Sequence, residues 1–176
     1  MNWDEYFYQV AKVVASKSKC MSRQIGAVLI RDKSIVSTGY NGPPRGVPHC
    51  NVRHFYDMKL FEELRSVDHN ITRDKEIKFC PRRILGFKSG KGLEWCIAGH
   101  AERNALINAA RLGVSTKGCI MVMTCSIPCT PCLVEIINAG ISEIVVENLS
   151  FYDISAKYLI ENSNLKVRVL KRNYRL

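Results

Sequence analysis

Two short fragments of the sequence carry side chains that could bind a metal ion and move a proton. They are His100-Ala-Glu102 and Pro128-Cys129-Thr-Pro-Cys132. One imidazole and two thiolates are ligands that zinc accepts, and three protein ligands leave a fourth position open for water, as in catalytic zinc sites. Glu102 is not needed as a zinc ligand, so it is placed to take a proton from the water and pass it to a leaving group. The fragments therefore predict a zinc-dependent hydrolysis with a carboxylate as the proton shuttle.

The position of both fragments in the chain fits this chemistry. Each opens a predicted helix, and in a layered α/β sheet the loops that enter helices lie beyond the carboxyl ends of the strands, where ligand sites form. Cys129 and Cys132 are three residues apart on a first helical turn, so they face the same way and can share an ion. Two thiolates nearly cancel the charge of Zn²⁺, which weakens its ability to acidify a bound water. The partial positive charge of the helix N-termini is expected to compensate for this loss.

The elements that must position these fragments follow from the spacing of apolar residues. Helices are predicted at 3–17, 100–112, 129–139 and 153–162, and strands at 25–30, 35–40, 119–124, 141–146 and 165–170. The order is a helix and a β-hairpin, followed by alternating helices and strands. This order is typical of an α/β fold with three layers, α/β/α, around a mixed five-stranded sheet built as a hairpin followed by βαβαβ.

Length and composition favour one soluble domain over residues 1–176. A hydrophobic fraction of 47% with 24% charged residues is the balance of folded globular proteins. The longest uncharged run, 118–134, is interrupted by prolines, and the chain begins Met-Asn-Trp-Asp-Glu, so neither a membrane span nor a secretory signal is expected. We therefore expect a reducing, cytoplasmic compartment, in which the eight cysteines are metal ligands and core residues.

The charge and its distribution indicate anionic partners. The formal net charge is +10, which favours nucleotides or nucleic acid. The segment 51–92 has weak apolar periodicity and accumulates basic residues, and we interpret it as an insertion before the helix that begins near His100. The basic stretches 82–91 and 166–175 are either solvated faces or contacts for nucleotides or nucleic acid.

Four further residues are expected to have structural or surface roles only. Cys119 and Cys125 fall on and after a buried strand and are predicted to pack in the core. His54 lies in the polar insertion and is predicted to be a surface residue. Tyr158 is predicted to face the core from the last helix.

Together, H-x-E and P-C-x-x-C form the signature of zinc-dependent nucleobase deaminases. Longer stretches resemble the phage and bacterial deoxycytidylate (dCMP) deaminases; these are 19–28, 38–50, 100–106 and 136–141. The resemblance implies a cytidine deaminase-like fold and the hydrolysis of dCMP to dUMP and ammonia, which supplies the precursor of thymidylate. In such a reaction zinc hydroxide attacks C4 of the cytosine, and Glu102 protonates the ring nitrogen and then the departing ammonia.

The same resemblance implies substrate contacts and a second metal. Asn41 would hold the sugar hydroxyl, with Ala101 as a further substrate contact. Arg23 and Arg45 are the candidates for phosphate contacts, because a guanidinium binds phosphate through two parallel hydrogen bonds. Many of these enzymes carry a second, structural zinc, which would clip the insertion onto the core. Its expected ligands are Cys20, Cys50, Cys80 and Cys96, with His49 as the alternative to Cys50.

Regulation and assembly are also implied by the resemblance. Enzymes of this family form hexamers, are activated by dCTP and are inhibited by dTTP. A triphosphate effector, accompanied by magnesium, would then bind near a subunit interface, with Arg23, Gly42 and Arg111 as the residues expected to take part. The expected partners are dCMP, nucleotide effectors and further copies of the chain, with no membrane and no stable nucleic-acid partner. If the source is viral, the compartment is the host cytoplasm.

Two alternative functions stay open at this point. The first is deamination of a polynucleotide, either a tRNA adenosine or a cytosine in single-stranded DNA, which the charge of +10 favours. Only 9% of the residues are aromatic, which argues against an open groove with stacking side chains. The second is a zinc-stapled interaction module without activity, and Glu102 argues against it, because a structural zinc site gains nothing from a carboxylate beside an incomplete ligand set.

Overall fold

The computed structural model describes residues 1–171, which divide into two compact units. The first unit contains Met1–Ser18, Ile25–Asn41 and the chain from His100 onward, and the second contains Lys19–Gln24 and Gly42–Gly99. The elements of the first unit are α1 (Trp3–Ala15), β1 (Gly26–Arg31), β2 (Ser34–Tyr40), α4 (Ala101–Arg111), β3 (Ile120–Met123), α5 (Thr130–Asn138), β4 (Glu143–Val146), α6 (Ile154–Glu161) and β5 (Lys166–Val169). Those of the second unit are α2 (Met58–Val67) and α3 (Pro81–Ile84), with 3₁₀ turns at Arg53–Phe55 and Leu93–Trp95.

The first unit is built on a mixed sheet with strand order β2-β1-β3-β4-β5. β1 pairs antiparallel with β2 and β3, whereas β3, β4 and β5 run parallel. The hairpin between β1 and β2 turns through Asp32 and Lys33, whose φ angles of 51° and 58° are the left-handed values that tight hairpin turns require. This is the predicted hairpin followed by βαβαβ.

Helices cover both faces of the sheet, so the predicted three-layer α/β/α fold is confirmed. On one face, α1 buries Phe7 and Ala11 against Val28 and Val122. On the other face, the larger core joins buried residues of α4, α5 and α6 to those of β1, β3 and β4. Its buried members include Leu29, Ala101, Ala105, Cys119, Met121, Leu133, Ile136, Ile144 and Ala156.

Two strand glycines allow the helices to approach the sheet closely. A Cβ on Gly39 in β2 would lie 2.8 Å from the Cα of Ala105 in α4, and a Cβ on Gly26 in β1 would lie 2.8 Å from the amide nitrogen of Ala15 in α1. Real Cβ atoms essentially never come within 3.0 Å of such atoms, so neither position can carry a side chain without moving a helix.

The second unit has its own small hydrophobic core, although the apolar periodicity of 51–92 is weak. Leu60 and Leu64, one turn apart on α2, are fully buried with Ile71 and Ile77. Asp57 caps α2 by accepting a hydrogen bond from the amide of Leu60. A cap followed by two leucines at helical spacing is the local signal for this helix.

Two expectations about individual residues are wrong, and two are confirmed. His54 is 0% exposed, because its Nε2 lies 3.2 Å from the carbonyl oxygen of Thr72 and 3.0 Å from that of Lys75, which ties this residue into the second unit. Tyr158 is 66% exposed, because the side of α6 that meets the core is formed by Ala156, Leu159 and Ile160. Cys119 is buried and Cys125 packs against the same core, as predicted.

Two further observations concern the predicted partners. Within residues 1–171, no helix has both the length and the apolar character needed to cross a membrane. Of the basic stretch 166–175, positions 172–175 lie outside the described residues.

Candidate metal centre and active site

Three predicted metal ligands meet at the start of two helices of the first unit. Nδ1 of His100 lies 3.5 Å from Sγ of Cys129 and 3.3 Å from Sγ of Cys132. The ligand atoms of the three side chains all lie within 4.8 Å of one another. His100 directly precedes α4, Cys129 directly precedes α5, and Cys132 lies in the first turn of α5.

The spacing of these donor atoms fits a zinc ion. Zn–S bonds of about 2.3 Å and Zn–N bonds of about 2.0–2.1 Å in a tetrahedron place sulfur and nitrogen about 3.5 Å apart. The two distances from His100 Nδ1, 3.3 and 3.5 Å, agree with that value. A ligand set of two sulfurs and one imidazole nitrogen favours zinc over magnesium or calcium, because those two ions take oxygen ligands. Three protein ligands leave a fourth position for a reacting molecule.

The two cysteines are electrostatically coupled. The Cys129 thiolate accepts hydrogen bonds from the Cys132 thiol, from His100 and from the backbone amide of Cys132, which together lower the pKa of Cys129 to about 4. The pKa of Cys132 is raised, chiefly by the same hydrogen bond to Cys129 and further by burial. The cluster thus holds one thiolate readily, and a divalent cation is what would allow both sulfurs to ionise.

Glu102 lies beside the cluster in the first turn of α4 and is only 5% exposed. The pKa of His100 is raised, first by its hydrogen bond to Cys129 and then by the negative charge of Glu102. The charge of Glu102 also contributes to the raised pKa of Cys132. Among the described residues, the group that could hold a metal comprises the imidazole and the two thiols, and Glu102 is not one of its members.

The helix α4 is held on β2 by polar contacts that the sequence pattern does not reveal. Nδ2 of Asn104 donates to the carbonyl oxygen of Tyr40 at 2.7 Å, and Nδ2 of Asn108 donates to that of Thr38 at 2.8 Å. The hydroxyl of Ser37 donates to the carbonyl oxygen of Ala105 at 2.7 Å. These bonds fix the helix that carries Glu102 along the edge strand.

An ion pair joins the two ligand-bearing helices. Arg103 in α4 donates from Nε to Glu135 in α5 at 2.9 Å, and its Nη2 lies 2.8 Å from the other carboxylate oxygen. The contact is bidentate, and both side chains are more than a third exposed, as in ion pairs at a surface. Arg103 and Glu135 are 32 positions apart, so no local sequence pattern could have suggested this pairing.

Asn41, the predicted sugar contact, is buried at the end of β2 and is 7% exposed. Its Oδ1 accepts a hydrogen bond from the amide of Ile25 at 2.8 Å, and its backbone amide donates to the carbonyl oxygen of Ile25. These two bonds fix the Asn41 side chain beside the start of β1.

The four other predicted thiol ligands belong to the second unit. Burial, followed by the negative charges of Cys80, Cys96 and Cys20, raises the pKa of Cys50 to about 11, so each of these three thiols lies near enough to Cys50 to affect its ionisation. Among residues 1–171, their sulfurs do not form a group as tight as that of the first unit. Nδ1 of His49 is buried there without a hydrogen-bond partner in the described part of the chain.

The remaining predicted site residues are distributed over both units. Ala101 is fully buried in the first turn of α4. Arg111 ends the same helix, about 15 Å along its axis from Ala101 by the helical rise. Arg23, Arg45 and Gly42 belong to the second unit, where Gly42 forms a β-bridge with Gly99.

A three-layer α/β fold with a metal centre of this composition defines a class, the zinc-dependent nucleobase deaminases. A family profile described as the cytidine and deoxycytidylate deaminase zinc-binding region matches residues 1–148. The chain belongs to this family.

Several known proteins are similar to this chain. It is 32% identical over 167 residues to the deoxycytidylate deaminase of Schizosaccharomyces pombe, covering 95% of this chain and 44% of the relative. It is 31% identical over 149 residues to that of Mycobacterium phage D29, covering 82% of this chain and 93% of the relative. The chain therefore spans less than half the length of its fungal relatives and nearly the full length of the phage protein.

The fold is shared with a solved structure. The dCMP deaminase from the cyanophage S-TIM5, in complex with dCMP and dUMP, superposes with a TM-score of 0.62 at 21% identity, covering 94% of each chain. At that identity the likeness shows a common fold.

Proposed function

We propose that this chain catalyses the hydrolytic deamination of dCMP to dUMP and ammonia. The observation that carries the proposal is the convergence of His100, Cys129 and Cys132 within 4.8 Å, with the buried Glu102 beside them. The names of the relatives support the choice of substrate, since the fungal and phage proteins are deoxycytidylate deaminases. The cyanophage enzyme of the same fold was solved with dCMP and dUMP.

The proposed reaction needs one base and one acid, and Glu102 can be both in turn. Zinc held by the three ligands would supply Lewis acidity toward the attacking water at neutral pH. The Glu102 carboxylate takes a proton from that water and delivers it to N3 of the cytosine ring, which makes C4 more electrophilic. The oxygen of the water bonds to C4, and Glu102 transfers the second proton of the water to the exocyclic amino group. The C4–N bond then breaks, which releases ammonia and leaves the C4 carbonyl of dUMP.

Substrate orientation is proposed to come from residues at the end of β2 and from the arginines. Asn41, buried directly after β2, contacts a sugar hydroxyl. Arg23 and Arg45 contact the phosphate, and Ala101 lies against the substrate. A nucleoside without phosphate is therefore expected to bind more weakly than dCMP.

We propose that the second unit holds a structural zinc. The closeness of Cys20, Cys80 and Cys96 to Cys50 supports this, because four thiols in one place repel one another when ionised, and a divalent cation offsets that repulsion. His49 stays an alternative to Cys50, since its buried Nδ1 has no hydrogen-bond partner in the described residues. Metal analysis is expected to give about two zinc ions per chain by the ligand count. One zinc ion per well-folded chain would remove this site.

Regulation by dCTP and dTTP, with magnesium on the triphosphate, and assembly into hexamers belong to the same proposal. Arg23, Gly42 and Arg111 are its candidate residues. Light scattering of the purified chain, and deaminase assays with each triphosphate added, test assembly and regulation separately.

The decisive experiment compares possible substrates. Purified, zinc-loaded protein is incubated separately with cytidine, dCMP, dCTP and a tRNA anticodon stem, and ammonia release is measured. We expect the highest kcat/KM for dCMP. Turnover of the tRNA stem in preference to dCMP would favour the polynucleotide alternative, and no turnover of any substrate by metal-loaded protein would favour the interaction module.

A further inference from the structure

One carboxylate caps two helices at once. Asp153 precedes α6 and accepts a hydrogen bond from the amide of Ala156 at 2.8 Å through Oδ1, which is an ordinary N-cap. Its Oδ2 accepts from the backbone amide of Thr130 at 2.9 Å, and its Oδ1 also accepts from the Thr130 hydroxyl. Thr130 is the first residue of α5.

The position of Thr130 gives this contact its importance. Thr130 lies between Cys129 and Cys132, the two thiols of the metal centre. Cys129 occupies the N-cap position of α5, and its sulfur faces the amide of Cys132 and not that of Thr130. The amide of Thr130 would therefore be one of the unpaired donors of a helix start, and a residue 23 positions further along the chain satisfies it.

Other caps in the chain do less. Asn2 caps α1 by accepting from the amide of Glu5 at 2.8 Å, within its own helix. A cap of that kind stabilises one helix, whereas Asp153 ties the turn that carries two metal ligands to the start of a second helix. Its negative charge lies at the positive ends of both helix dipoles.

We propose that Asp153 is a positioning residue for the metal centre, which holds the turn of Cys129 and Cys132 in the orientation that faces His100 by binding both the amide and the hydroxyl of Thr130. This inference rests on the metal centre of the proposed function. The hydrogen bonds from Thr130 and Ala156 also outweigh the effect of burial and lower the pKa of Asp153, so the carboxylate is charged at neutral pH.

Three substitutions separate positioning from capping. Asp153→Ser keeps a good N-cap for α6, but its single short hydroxyl cannot also reach Thr130. Thr130→Val removes the hydroxyl bond with little change of shape, and Thr130→Ser restores it. Asn2→Ala is the matched control, because it removes a helix cap of the same unit that is unconnected to the metal ligands.

The measurement is the affinity of the metal centre for Co²⁺, determined by competition with a chelator. The absorption of bound Co²⁺ that disappears in Cys132→Ser identifies the ion bound at this centre. Asp153→Ser is expected to weaken binding about tenfold, as loss of a residue that orients metal ligands does. Thr130→Val is expected to weaken Co²⁺ binding less, and Thr130→Ser is expected to bind it as the wild type does. A variant with both Asp153→Ser and Thr130→Val should bind Co²⁺ no more weakly than Asp153→Ser alone. The Co²⁺ spectrum is expected to shift in Asp153→Ser and not in Asn2→Ala.

The possible results distinguish this inference from the function on which it rests. If Asp153→Ser loses thermal stability as Asn2→Ala does, yet binds Co²⁺ with unchanged affinity and spectrum, Asp153 is only a cap and the inference is wrong. If the wild-type chain shows no Co²⁺ absorption that depends on Cys132, the metal centre itself is wrong, and the proposed function fails together with the inference.

Discussion

Replacing Gly39 by alanine tests whether the close packing of α4 on β2 sets the geometry of the metal centre. The new Cβ would lie 2.8 Å from the Cα of Ala105, and closer still to the carbonyl oxygen of Ala101, whereas ordinary contact begins at 3.4 Å. These are helix backbone atoms that cannot rotate away. The first turns of α4 must therefore withdraw from the strand by roughly 1 Å, since packed interiors leave no free space to absorb the clash.

The expected cost follows from that displacement. Overpacking costs about 1–3 kcal/mol, and we expect about 3 kcal/mol of unfolding free energy here because the obstructing atoms are backbone. For a chain of this size the melting temperature should fall by about 6–12 °C. His100 and Glu102 move with the helix, and a misplacement of about 1 Å can lower a rate about 100-fold. Ammonia release from dCMP should fall by that order.

Gly26→Ala is the matched control, because it makes a similar clash on the opposite face of the sheet. A Cβ at this position would lie 2.8 Å from the amide nitrogen of Ala15 and would displace α1, which carries no site residue. It should lower the melting temperature in the same way and leave most of the deaminase activity. Thermal melts and ammonia release are measured at saturating zinc. Equal loss of stability with equal activity in both variants would refute the view that α4 packing sets the site.

Glu102→Gln should keep its bound metal and its melting temperature but lose about 10²- to 10⁴-fold in kcat, as expected for loss of a general acid and base; near-normal ammonia release would exclude the proton shuttle. Partial burial of Asp57 opposes its ionisation, but hydrogen bonds from Leu60 and Arg53 outweigh this and lower its pKa. The stability that the ionised carboxylate contributes is complete above the ordinary pKa of about 3.9 and is lost as the pH falls through the lower pKa of the folded state. Asp57→Asn lacks this carboxylate. Its free energy of unfolding in urea should therefore fall less than that of the wild type between about pH 7 and about pH 2. Arg103→Ala breaks a largely exposed ion pair and should change the free energy of unfolding by less than about 1 kcal/mol; a larger loss in chemical denaturation would mean that the pair locks α4 to α5.

Much of the fold was predictable because it depends on short-range patterns. The apolar spacing of α1 and the β-rich runs of β1 and β2 are local, and so are the helix starts at His100 and Cys129. Where the local pattern was weak, the prediction failed. The burial of His54 depends on the carbonyl oxygens of a loop about 20 residues away, and the exposure of Tyr158 depends on which side of α6 meets the core.

The chemistry proposed for the candidate site could be predicted from the sequence, because the ligands and the carboxylate lie in two motifs of fixed spacing, H-x-E and P-C-x-x-C. How these motifs meet could not, because it depends on contacts between distant parts of the chain. Asp153 reaches Thr130, Arg103 reaches Glu135, and Gly39 admits α4, each across a gap in sequence that no periodicity encodes. A motif fixes the side chains within one turn of backbone, whereas the distance between two turns is set by the packing of the helices and strands between them.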